Sequence, residues 1–115
     1  MYKYSDYNPF RRLRIEGVIG AVPRQFETIT VFSKGDEAIT VSAGLLAPPN
    51  CWDFGLKVYP DGPDKLPGEG SGYFKSRKDA LLFALAEVRQ LFSDDFLKRS
   101  AIDKMINELM APALF

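Results

Sequence analysis

A chain of 115 residues, 46% hydrophobic and 26% charged, has the size and balance of one globular domain (1–115) with one core, and these values exclude a disordered chain. Lys+Arg and Asp+Glu number 15 each, so the formal net charge is zero, unlike the basic balance of a generic polyanion binder. The single cysteine, Cys51, allows no intrachain disulfide, and with no apolar leader after Met1 and no apolar run near the roughly 18 residues of a membrane helix, the expectation is a cytoplasmic protein with no membrane partner.

Residues 1–10, with Tyr2, Tyr4, Tyr7, Pro9 and Phe10, have no clean period and form a possible N-terminal arm. Charge is uneven along the chain. Residues 1–26 hold five basic groups (Lys3, Arg11, Arg12, Arg14, Arg24) against two acidic ones (Asp6, Glu16), whereas residues 27–72 hold three against seven. Leu13 and Ile15 alternate with Arg12, Arg14 and Glu16 as in a half-buried strand, which Gly17 interrupts and Pro23 ends.

Phe26 to Ser33 and Ala38 to Ala43 form a hairpin about the turn sequence 33–37. Ile29 and Val31 share a face with Ile39 and Val41 only if the loop has an odd number of residues or a strand carries a bulge. The expected solution is a loop of three or five residues centred near Gly35–Asp36. Gly44 to Asn50, with Pro48-Pro49, is expected to be a connector outside the ladder. Trp52, Phe54, Leu56 and Val58 alternate on one face of the next strand. Pro60-Asp61-Gly62-Pro63 opens a long polar loop, and Gly72 to Lys75 is a short returning strand.

Ser76, with Asp79 three residues on, caps a helix over 76–92. Its apolar stripe is Leu81, Ala84, Leu85, Val88, Leu91 and Phe92, widened by Leu82 and Phe83. A second helix over 94–110 presents Leu97, Ala101, Ile102, Met105, Ile106 and Leu109, and Pro112 ends it. The fold class is therefore α+β: an antiparallel sheet of about four to five strands (residues 11–75) backed by one long helix and a second one.

The chain has no histidine, which removes Ser-His-Asp and Cys-His catalysis and His-ligated metals; one cysteine removes Cys₄ sites. Gly68 to Gly72 is glycine-rich, yet a strand follows it and no Gly-Lys-Ser/Thr occurs, so it is expected to be a flexible hairpin and not a phosphate loop. Glu16, Glu27, Asp53 and Asp79 have no spacing diagnostic of a magnesium site and are expected as solvated surface charge. Cys51 is expected to be a buried or half-buried thiol and Trp52 a core residue. No cofactor, metal or catalytic residue is expected, and the chain is not expected to be an enzyme.

Residues 52–92 resemble the arm-type DNA-binding domain of phage and transposon integrases and the related plant AP2 domain. The residues concerned are the aromatic-led strand Trp52–Tyr59, the Asp61-Gly62 turn, and Gly72-Tyr73-Phe74-Lys75-Ser76-Arg77-Lys78-Asp79-Ala80 leading into a helix. In that family a small antiparallel sheet enters the major groove and a helix braces it. This chain departs in charge: residues 52–74 hold two basic groups (Lys57, Lys65) and four acidic ones, where the family's groove-facing strands are rich in Lys and Arg. Leu66-Pro67-Gly68 followed by a Ser-capped Ala/Leu helix is similar to HicB-type antitoxins. Both resemblances imply a sheet backed by a helix.

Aromatics interleaved with basic groups can stack on bases and neutralise phosphates. Tyr4, Tyr7, Arg11, Arg12, Arg14 and Arg24 are therefore the candidate nucleic-acid-binding residues. The functional expectation is a small accessory protein, of the phage, plasmid or mobile-element kind, that binds DNA or RNA through this stretch. The alternative is a protein-interaction or homo-oligomeric module, since Tyr and Arg also populate protein interfaces and the C-terminal tail is apolar.

Overall fold

The computed structural model describes residues 25–47, 50–68 and 73–111. The arm at 1–10 and the strand expected between Arg12 and Pro23 lie outside them. The described chain is α+β, a four-stranded antiparallel sheet in the order β1-β2-β3-β4 followed by two helices that pack on it.

β1 (Gln25–Lys34) and β2 (Glu37–Ala47) form a long hairpin. Its loop is two residues, Gly35–Asp36, between the pair Lys34↔Glu37, not the expected three or five. Gly35 takes a φ of 63°, which suits the first position of a tight two-residue turn and which other residues rarely adopt. Such a turn alone would split the apolar residues between the faces. A bulge solves this: Thr30 pairs with Thr40 but Phe32 with Ile39, leaving Val31 as the extra residue. Ile29 then lies across from Val41, and Ile29, Val31 and Phe32 all pack against the core.

β2 runs four residues further than expected, because Gly44 to Ala47 belong to the ladder and not to a connector. Gly44 lies between Phe26 and Asp53, Leu45 between Gln25 and Trp52. The prolines come only after Ala47, so nothing before them lacks an N–H to donate. β3 (Cys51–Tyr59) places Trp52, Phe54, Leu56 and Val58 opposite Leu45, Ala43, Val41 and Ile39 on one face, as expected.

The chain then turns sharply through a cis Tyr59–Pro60 bond, with Gly62 N donating to Val58 O at 2.9 Å and Val58 N to Pro63 O at 3.0 Å. The long loop expected after Pro63 is instead a return to the sheet. β4 (Asp64–Lys65) pairs with Lys57 and Leu56. Phe74 comes back to the same side of β3 later, where it makes a single antiparallel bridge to Trp52. The edge of β3 is thus met twice by the segment that follows it.

α1 (Arg77–Leu91) begins at Ser76, whose hydroxyl accepts from Asp79 N at 3.1 Å. Ala80, Leu81, Ala84, Leu85 and Val88 are buried on the sheet, and each large one contributes about 1.5–3 kcal/mol. Leu91 leaves the expected stripe. At about 100° per residue it stands about 80° round the helix from Leu81, while Phe92 stands only about 20° away; Leu91 is exposed and Phe92 packs on the core.

α2 (Phe96–Met110) starts two residues later than expected, with Asp95 as its cap, accepting from Lys98 N at 3.2 Å. Ile102 is its one fully buried residue among those described, with Met105, Ile106 and Leu109 packed beside it. Leu97 was expected on this face but is exposed; it stands five residues before Ile102, about 140° round the helix. Phe54, Phe74 and Phe83 join sheet, bridge and α1, with ring centroids 4.9 to 6.1 Å apart. No helix among the described residues is long and apolar enough to cross a membrane.

Candidate functional site

Three places in the fold gather charged side chains: the second face of the sheet, the end where β1 begins, and the opposite end. Because side chains alternate along a strand, the face away from the helices carries Ser42, Gly44, Asp53 and Gly55, all buried. After β4 the chain runs over this face. A Cβ on Gly55 would lie 2.7 Å from both Lys65 O and Pro67 Cδ and would also collide with Ser42 Oγ. Only a glycine lets the Lys65–Gly68 strap lie this close.

Asp53 holds the strap down. Its Oδ1 accepts from Phe54 N at 2.9 Å, and its Oδ2 from Lys65 Nζ at 3.0 Å and Gly68 N at 2.7 Å. Asp53 has 0% exposure, so it is not the solvated surface carboxylate expected from the sequence. The Lys65 ammonium also donates to Phe54 O at 2.6 Å and lies 3.9 Å from the Phe54 ring centroid. A buried carboxylate with this many donors is satisfied where it is and acts as a structural anchor. Burial, with the Asp53 carboxylate second, raises the pKa of the neighbouring Cys51 thiol, in keeping with the inert buried cysteine expected.

At the end where β1 begins, Arg77 in the first turn of α1 grips Glu27 with two donors, Nε to Oε1 and Nη2 to Oε2, the latter at 2.9 Å. This hydrogen-bonded pairing lowers the pKa of Glu27 and raises that of Arg77. The row Gln25–Leu45–Trp52–Phe74 crosses the sheet here, so Lys75, Arg77 and Lys78 follow at the same end. Lys75 and Lys78 are exposed.

The opposite end is acidic. The β1–β2 turn, the β3–β4 turn and the α1–α2 corner meet there, bringing Asp36, Glu37, Asp61, Asp64, Asp94 and Asp95 against Lys34, Lys57, Lys98 and Arg99. Lys98 bridges Glu37 at 3.0 Å and Asp95 at 3.3 Å, with the Phe92 ring 4.9 Å away. Bonds to Glu37 first, and to Asp95, raise its pKa. Lys57 pairs with Asp64 at 3.3 Å, and Arg89 of α1 with Asp103 of α2 at 2.5 Å.

The sequence-derived candidates Tyr4, Tyr7, Arg11, Arg12, Arg14 and Arg24 lie outside the described residues, Arg24 immediately before Gln25. Of the four carboxylates considered for a metal, Glu16 lies outside them too, Glu27 is held by Arg77, Asp53 by Lys65 and backbone N–H groups, and Asp79 sits in the first turn of α1. Sequence reasoning missed the Asp53–Lys65 anchor. The signal available was Gly55, two positions from Asp53 and on the same face, in an otherwise good strand. No family model matches the chain, and no curated protein and no solved structure is significantly similar to it.

Proposed function

We propose that this chain is a non-enzymatic accessory domain that binds nucleic acid, with its basic, aromatic N-terminal stretch as the contact surface and the sheet and helices as its scaffold. The observation that carries this reading is the distribution of engaged charge. In the described residues Lys57, Lys65, Arg77, Arg89 and Lys98 are all committed to ion pairs within the fold. Those residues hold ten basic and twelve acidic side chains, whereas residues 1–24 hold five against two, with Tyr2, Tyr4, Tyr7 and Phe10 between them. Such a stretch combines phosphate neutralisation with base stacking.

Fluorescence anisotropy with single-stranded DNA, duplex DNA and RNA of about 20 nucleotides tests this at low and moderate salt, where phosphate contacts give affinity that falls steeply as salt rises. Binding at micromolar protein that weakens with salt, and weakens further in Arg11→Ala/Arg12→Ala/Arg14→Ala, supports it. Absence of salt-sensitive binding, or a triple variant that binds like the parent, refutes it.

A second reading, association with itself or another protein, is favoured by the α1–α2 corner. Leu91, Phe96 and Leu97 are 52%, 68% and 56% exposed there, and large apolar side chains gathered at a surface mark interaction sites. Light scattering of the full chain distinguishes the two: a monomer at high protein concentration counts against self-association.

A further inference from the structure

We infer that the nucleic-acid surface extends from the N-terminal stretch onto the described domain through Lys75 and Lys78. This inference rests on the proposed nucleic-acid reading and adds to it where on the folded domain the polyanion lies.

Three observations support it. The sheet register sets Gln25, where the N-terminal stretch enters the fold, in one row with Leu45, Trp52 and Phe74, so Lys75 follows at the same end of the sheet. Next, Arg77 takes up both oxygens of Glu27, the acidic side chain nearest that entry on β1. Lys75 and Lys78 are exposed, and neither is held in an ion pair among the described residues.

The third observation is the charge polarity of the domain. The far end carries six acidic groups against four basic ones, and two of those basic groups, Lys57 and Lys98, are bound by acidic partners there. A phosphate backbone approaching that end is repelled, while the end carrying Lys75 and Lys78 attracts it. Polarity of this kind orients a polyanion before contact. Asp79, in the first turn of α1, is the acidic residue that faces this surface from the same element, and Lys75 and Lys78 outnumber it.

The test compares the full chain with Lys75→Ala/Lys78→Ala on the same single-stranded DNA, duplex DNA and RNA, measuring affinity across a salt series. Both residues are exposed, so the variant is expected to keep its circular dichroism spectrum and melting profile. Binding roughly tenfold weaker, with the slope of log K against log salt reduced by about 2, is the expected result, since each lysine–phosphate contact adds about 1 to that slope. A control with the same loss of charge at the far end, Lys34→Ala/Arg99→Ala, is expected to change affinity less than about threefold, because charges there lie beyond effective screening distance of the bound strand. Wild-type binding that is salt-sensitive but unchanged in Lys75→Ala/Lys78→Ala overturns this inference and leaves the N-terminal reading standing. An equal loss in both double variants also overturns it, since net charge alone would then explain the effect. A wild-type chain that binds none of the three overturns both.

Discussion

Lys65 Nζ stands 3.0 Å from Asp53 Oδ2, which joins a part-exposed ammonium on the strap to a carboxylate that solvent does not reach. Replacing Lys65 by Met takes the ammonium away from the buried Asp53 carboxylate. Breaking one side of a buried pair costs about 3–5 kcal/mol, so Lys65→Met should lower stability by that order in urea titrations. A loss below about 1 kcal/mol would show that the remaining donors, Gly68 N and Phe54 N among them, suffice to hold the carboxylate.

Gly55 and Gly35 separate steric from conformational need. In Gly55→Ala the new methyl meets Lys65 O and Pro67 Cδ, both 2.7 Å away, and neither belongs to a flexible side chain. The strap must lift, at a cost of about 1–3 kcal/mol from overpacking, together with strain on the Asp53 anchor. A methyl at Gly35 meets nothing within 4 Å, yet its φ of 63° disfavours alanine by about 1–2 kcal/mol. Differential protection of residues 64–68 from hydrogen exchange should separate them: opened in Gly55→Ala, unchanged in Gly35→Ala.

Glu27 and Arg77 are both close to half exposed, so Glu27→Gln should lower stability by only about 0.2–1 kcal/mol at neutral pH. The sign of its pH dependence follows from the lowered pKa of Glu27 in the folded chain, caused first by the Arg77 hydrogen bond. The contribution is whole above the ordinary carboxylate range and is lost as pH falls through the depressed folded value. Melting curves of parent and variant should therefore differ at neutral pH and converge in acid. A gap that widens in acid would contradict the assignment.

Leu85 and Leu91 lie on the same helix at different depths. Leu85→Ala removes a fully buried side chain and should destabilise by about 2–5 kcal/mol, while Leu91→Ala should stay within about 0.5 kcal/mol. Equal losses would place Leu91 in a covered interface, which is the outcome the protein-association reading requires.

The helices were legible because their signals are local. Ser76 and Asp95 mark the two starts, and the spacing of Leu81, Leu85 and Val88 marks the buried side. The strand alternation at Trp52–Val58 was equally plain. The bulge at Val31 was not, because an inserted residue in a strand carries no composition of its own; register arithmetic showed only that a bulge or an odd loop was needed. The burial of Asp53 was beyond reach for another reason. Its cover arrives from Lys65 and Gly68, twelve and fifteen residues on, and only the path of the chain brings them there. Lys75, read as the end of a short returning strand, and Lys78, within the helix, come to the end of the sheet where Gln25 lies only through the Trp52–Phe74 bridge.

The β1–β2 hairpin has a parity. Eleven residues lie between Ile29 and Val41, an odd number that a two-residue turn can close only by leaving one residue, Val31, out of the ladder. Deleting Val31 would leave ten, which pair completely around the same turn, so Ile29 would stay across from Val41 and only the bulge would vanish. The same eleven residues close without a bulge around a three-residue turn, which sets Val31 across from Ile39. A relative with a hairpin of this length and a three-residue turn should therefore have an unbulged first strand.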